Sequence, residues 1–252
     1  MAYFDGTIFS ESLGMMVSVI VSVPSKSPYA DEEGNMPVIT VLHGLSDNRT
    51  AWIRRTNIEL YAEQRGVALV IPEVQRSFYA DMNKGIEYYR YISQELPEQC
   101  CRMFRLSNKK KDKYLMGMSM GGYGTLKLAL RQPERYEAVA AFSSAVDVEK
   151  RLLGPEAFIG QGEREAITGD RIADENNLFF LAENAPDKKA LPRMFITCGK
   201  SDYMHEDNLR FCRHLDAQGI AYTYEEWEGD HNWRFWEASV QKAFPFFFDG
   251  RR

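Results

Sequence analysis

Apolar and polar residues alternate over Met16 to Val23 (MVSVIVSV), the period-2 pattern of a strand with one covered face. Val38 to Leu42, Val67 to Ile71, Tyr114 to Met118, Ala138 to Phe142 and Met194 to Cys198 are apolar with little alternation. Short continuous runs of this kind suit central strands buried on both faces. Tyr222 to Glu226 alternates again and reads as a late strand. Helical segments fall between the runs: Thr50 to Gln64, stopped by Gly66; Tyr123 to Arg131, halted by Pro133; and 205–218, ended by Gly219. A longer amphipathic stretch from Gly85 to Phe104 contains Pro97, which predicts a kink or a restart. Aromatic-rich 234–248 closes the chain as a helix. Strands alternating with helices over the whole length predict an α/β fold: a mostly parallel sheet covered by helices on both faces. No repeat or composition break divides residues 1–252, so one domain is expected. The more polar segment 147–191 reads as a small cap insertion over the carboxyl edge of the sheet, where such folds bind their ligands.

Composition narrows the partners. Of 252 residues, 44% are hydrophobic and 27% charged, the usage of an ordinary globular chain. With 31 basic and 36 acidic residues, the net charge is −5, and no global field draws phosphate backbones, so nucleic acid is not the expected partner. The one basic run, Lys109-Lys110-Lys111-Asp112-Lys113, reads as a solvated turn. No apolar stretch reaches the roughly 18–20 residues of a membrane span, and Asp5 and Glu11 stand where a secretory leader would be basic and then apolar. Cys100 and Cys101 are adjacent, and with Cys198 and Cys212 they suit neither a disulfide framework nor a CxxC motif; a reducing cytoplasm is expected. The exposed insertion and aromatic C-terminal helix leave a homo-oligomer open.

The string carrying most chemistry is Gly117-Met118-Ser119-Met120-Gly121-Gly122, a G-x-S-x-G between an apolar strand and a helix. A sharp turn there projects the Ser119 hydroxyl above the sheet, and the following helix N-terminus favours negative charge. A serine nucleophile needs a histidine base. Of the four histidines, His43 belongs to a strand-end turn, and His205 and His214 lie in a helical segment. His231 occupies the loop Gly229-Asp230-His231-Asn232-Trp233 and is the expected base. The orienting acid should follow a strand between serine and histidine in chain order. Asp202, after the Met194 to Cys198 run, meets this requirement better than Asp147, Asp207 or Asp230. Donors for an oxyanion are then the N–H of Met120 and, from the turn His43-Gly44-Leu45-Ser46, the N–H of Leu45. No H-E-x-x-H or zinc-ligand spacing occurs. Lys127 replaces the third glycine of a dinucleotide fingerprint, and no G-x-x-x-x-G-K-[ST] is present, so neither metal nor cofactor is expected.

In order along the chain stand H-G-L-S-D-N (43–48), S-x-Y-A-D (77–81), G-M-S-M-G-G-Y-G (117–124), G-x-x-D (199–202) and D-H-N-W (230–233). With these motifs the sequence resembles the tributyrin-esterase/esterase D branch of the α/β-hydrolases from about residue 17 to the C-terminus. The resemblance implies an α/β-hydrolase fold and a serine carboxylesterase acting on small, short-chain acyl esters, some relatives using acetylated or feruloylated sugars. It also implies substrate contacts for Tyr79 and Trp233. The small cap and the bulk at Met118, Met120, Tyr79 and Trp233 are expected to limit the acyl pocket to acetyl to butyryl groups. The branch borders on S-formylglutathione hydrolases, which carry His before the nucleophile and Thr-Cys after H-G-L. Here Met118 and Ser46-Asp47 stand instead. A thioesterase, an acyltransferase, and a binding module that has lost its triad are the rival readings.

Overall fold

The computed structural model describes residues 1–155 and 157–250. Eight strands form one sheet in the order β1-β2-β4-β3-β5-β6-β7-β8. They are β1 (Ala2–Ser10), β2 (Met15–Val23), β3 (Val38–Leu42), β4 (Ala68–Pro72), β5 (Lys113–Met118), β6 (Ala138–Phe142), β7 (Arg193–Gly199) and β8 (Thr223–Trp227). β1 pairs antiparallel with β2 and β2 with β4; every later pairing is parallel. This is the α/β-hydrolase arrangement, a mostly parallel sheet between helical layers.

Ten α-helical segments accompany the sheet among the described residues. They are α1 (Ala51–Arg55), α2 (Ile58–Arg65), α3 (Tyr88–Arg90), α4 (Leu96–Phe104), α5 (Met120–Arg131), α6 (Val148–Leu152), α7 (Gln161–Ile167), α8 (Leu178–Glu183), α9 (His205–Ala217) and α10 (Trp233–Phe248). Period-2 geometry sorts the strand side chains between two cores. Val38, Leu42, Leu115, Val139 and Ile196 face α4, α5 and α9, while Ile39, Val41, Met116, Ala140 and Phe195 face α2 and α10. Each fully buried Ile, Val or Phe of these layers contributes about 1.5–3 kcal/mol.

The central strands and Gly66, a left-handed cap (φ 64), match the sequence pattern. Two features differ. β1 escapes the pattern because it is an edge strand exposed over most of its length. The single helix expected over Thr50 to Gln64 is two, because Thr56 turns extended and its Oγ1 bonds back to the Trp52 carbonyl at 2.6 Å. The restart expected at Pro97 is present: a π turn over Tyr91–Glu95 gives way to α4, which begins at Leu96 with Pro97 in its first turn.

The basic run is only partly a solvated turn. Lys113 is buried at the start of β5, with Nζ 3.0 Å from Asn108 Oδ1, and burial pushes it down to about 8. Segment 147–191 carries α6, α7 and α8 and no strand among the described residues. No helix there is long and apolar enough to cross a membrane.

Candidate active site

Five strands deliver their C-terminal ends to one cavity, and the backbone sets the first group. Ser119 joins β5 to α5 at φ 57 and ψ −118, a conformation costing an L-residue about 1–3 kcal/mol. Surrounding bonds hold it there. Its N–H donates to the Phe142 carbonyl (2.9 Å), and its carbonyl accepts from the N–H of Tyr123 (3.0 Å) and Ala145 (3.1 Å). Gly121 crosses the Leu42 carbonyl, and Gly117 lies against Gly121, so closely that a Cβ at either would overlap backbone atoms.

Asp202 follows β7 in a turn closed by its own N–H on the Gly199 carbonyl (3.0 Å). Its Oδ1 accepts from Met204 N–H at 2.8 Å. His231 comes from the loop before α10, whose entry is fixed by Asn232: the Asn232 side chain accepts from Arg234 and Phe235 N–H as an N-cap. His231 Nδ1 lies 2.9 Å from Asp202 Oδ2, and Nε2 lies 3.1 Å from Ser119 Oγ. A carboxylate partner makes Nδ1 the protonated nitrogen, leaving Nε2 to accept from the serine hydroxyl. Burial would raise the Asp202 pKa, but the hydrogen bond and charge of His231 and the hydrogen bond from Met204 N–H outweigh it, holding the carboxyl below its ordinary value.

The competitors are placed elsewhere. Asp230 accepts the backbone N–H of His231 (2.7 Å), not its ring. Asp147 caps α6, and Asp207 pairs with Arg151. His205 binds Glu226 and His214 binds the Phe179 carbonyl. His43 is fully buried between the Gly44 carbonyl and Val74 N–H, where it shapes the turn after β3. That turn presents Gly44, Leu45, Ser46 and Asp47 to the cavity. Met120 opens α5, so its N–H belongs to the first helical turn, which has no acceptor within the helix.

The cavity beside Ser119 measures about 480 Å³ and is walled by Met118, Phe158, Tyr203, Trp233 and Trp236. Aromatic contacts run in series from Trp52 through Trp233 and Trp236 to His231, whose ring also lies 4.7 Å from that of Tyr203. The Esterase family model matches residues 10–247, nearly the whole of this arrangement.

The chain belongs to the esterase family.

This esterase is similar to an acetyl esterase of Caldicellulosiruptor saccharolyticus, 26% identical over 98% of each chain. Among solved structures it is similar to FphF, a fluorophosphonate-binding serine hydrolase of Staphylococcus aureus (30% identity, 98% of each chain, TM-score 0.89). It is also similar to the S-formylglutathione hydrolase FrmB of the same organism (30% identity, 98% of each chain, TM-score 0.87). The esterase is a serine carboxylesterase of the α/β-hydrolase fold.

Two of the residues expected at the substrate point inward instead. Tyr79 is fully buried: its hydroxyl donates to the His43 carbonyl (2.8 Å), and its ring lies against Gly124. Lys127, also buried and pushed down to about 7 by desolvation, donates to the Tyr79 carbonyl (2.8 Å) and closes the loop. Tyr79 therefore braces the turn after β3 and does not line the cavity. The Met120 side chain packs in the core and does not line the cavity. Trp233 does line the cavity. Phe158, Tyr203 and Trp236 are wall residues that the motifs did not single out. Trp236 lies one helical turn beyond Trp233, a spacing that would have flagged it.

Proposed function

We propose that the esterase acts through a Ser119–His231–Asp202 triad on short acyl esters, acetyl to butyryl, with acylated carbohydrates among its substrates. The carrying observation is the unbroken hydrogen-bonded line from Ser119 Oγ through His231 to Asp202. Ser119 attacks the acyl carbonyl as His231 Nε2 takes the hydroxyl proton. The oxyanion accepts from the N–H groups of Leu45 and Met120, and Asp202 stabilises the imidazolium. His231 returns its proton to the leaving alcohol, and water, activated by the same histidine, cleaves the acyl-enzyme.

Short acyl groups are favoured by the aromatic walls and by Phe158, which the insertion brings over the cavity. Each added methylene gains about 0.8 kcal/mol only while apolar space remains. The acetyl esterase relative supports the short end of that range. Trp233 contacts substrate in this reading. The four free cysteines suit a reducing cytoplasm. The thioesterase reading draws on FrmB by name, and Met118 in place of the histidine preceding the nucleophile weighs against it.

A panel of p-nitrophenyl esters from acetyl to decanoyl, with formylglutathione and acetylated and feruloylated oligosaccharides beside it, tests the reading. kcat/KM should peak between acetyl and butyryl and fall by octanoyl. A rate still climbing at decanoyl indicates a deep acyl tunnel, and a dominant rate on formylglutathione indicates the thioesterase.

A further inference from the structure

β1 forms the outer edge of the sheet, and every residue from Ala2 to Thr7 is exposed. Natural edge strands are commonly blunted by lysine, proline or a bulge. β1 has none of these: its register with β2 runs without interruption from Ala2↔Val23 to Ser10↔Met15. Its one charged residue, Asp5, is paired with Arg49, with Nε 2.9 Å from Oδ1. The strand and its hairpin partner are also apolar where they meet solvent. Tyr3, Phe4, Phe9 and Met16 supply four of the eight large exposed apolar side chains among the described residues. Exposed apolar surface gathered in this way marks an interaction face.

From Tyr3 to Phe9 the order of apolar and polar residues in β1 is symmetric about Gly6: two apolar residues, one polar, glycine, one polar, two apolar. Antiparallel pairing with its own copy, centred on Gly6, uses all nine residues. It sets Tyr3 opposite Phe9 twice on one face, Phe4 opposite Ile8 twice on the other, and Asp5 opposite Thr7. A shift towards the N-terminus sets Asp5 against Asp5, like charges directly opposed, which is unfavourable. A shift towards the C-terminus leaves Ala2 and Tyr3 unpaired and sets Asp5 opposite Phe9. Gly6 itself stands opposite Gly6 at the centre, and the face above it is open, with nothing within 4 Å of a Cβ at this position.

We propose that β1 pairs with β1 of a second copy of this chain across a two-fold axis at Gly6, joining two eight-stranded sheets into one. The occupant of this edge is the chain itself. The edge supplies backbone hydrogen bonds, the aromatic pairs supply buried apolar area, and the Asp5–Thr7 pairing fixes the register.

Light scattering on the full chain, together with two cysteine variants, tests this. The wild type should run at twice its 29.0 kDa chain mass. Tyr3→Lys with Phe9→Lys places ammonium groups opposite one another and should give a monomer with unchanged esterase rate. Gly6→Cys should cross-link to its copy on mild oxidation, because opposed residues lie about 4.5–5.5 Å apart at Cα, within disulfide reach. Thr7→Cys should not, since diagonal neighbours lie about 7–8 Å apart. A monomeric wild type, a dimer untouched by the two lysines, or cross-linking at 7 rather than 6 would each overturn the proposal.

Discussion

Ser119 and His231 face each other across 3.1 Å, yet the two sides of that contact are held by different forces. On the serine side the restraint is backbone: three main-chain hydrogen bonds, the Gly117–Gly121 crossing and the Leu42 carbonyl beneath it. On the histidine side it is side chains: the Asp202 carboxylate, the Asn232 cap, and the rings of Tyr203 and Trp236. A backbone clamp is tied to the sheet and cannot be altered without disturbing it. A side-chain clamp can be dismantled group by group while the fold stands. The strained residue is thus anchored in the core, and the adjustable one hangs from a loop and a helix end.

Gly121→Ala attacks the backbone side, and the largest effect on the protein is expected there. The new Cβ meets main chain on β3 that cannot rotate away, so the cost should reach or exceed the roughly 1–3 kcal/mol typical of overpacking. Urea unfolding should show this loss, or the variant should fail to accumulate as folded protein. Wild-type stability would mean that the elbow is looser than its contacts imply.

Asp202→Asn attacks the other side and should leave the fold intact while lowering kcat about 10⁴-fold, through loss of the correct imidazole tautomer. Asp230→Asn, which alters only a backbone contact, should cost far less; the reverse ranking would reassign the acid. Acid titration sharpens the point. Because the folded Asp202 carboxyl titrates below its ordinary value, its stabilisation is present above the ordinary carboxylate range and disappears as pH falls through the folded pKa. The stability difference between wild type and Asp202→Asn should therefore narrow on acidification through that window. A difference independent of pH there would remove the carboxylate from the account.

Tyr203→Ala should give the smallest change. Tyr203 is 55% exposed and touches His231 only by its ring, a contact worth about 0.5–1.5 kcal/mol, or roughly tenfold in kcat/KM at most. Tyr203→Phe should restore the rate. A failure of phenylalanine to do so would show that the hydroxyl, not the ring, matters.

How far each side was legible in the sequence follows the same division. β5, the glycines and Ser119 could be located because a buried strand ending in G-x-S-x-G has few ways to fold. Asp202 and His231 followed from chain order and strand ends. Tyr79 was misplaced because a motif position fixes where a residue lies on the chain but not which way its ring turns; Gly124 opens space beneath it, and the ring enters. Phe158 and Tyr203 were missed because they meet only when the insertion folds back over the acid turn, a pairing 45 residues apart with no local pattern. β1 was missed for a different reason, since an edge strand without a buried face loses the alternation by which strands are recognised.

The central claim is that Ser119, presented by the backbone clamp, is the nucleophile. Treatment with a fluorophosphonate followed by peptide mass mapping tests it most directly. One adduct per chain on the peptide containing Ser119, none in folded Ser119→Ala, and loss of roughly 10³-fold or more in kcat in that variant are the predicted results. An adduct on another residue, or near-normal turnover by the folded Ser119→Ala variant, would contradict the account.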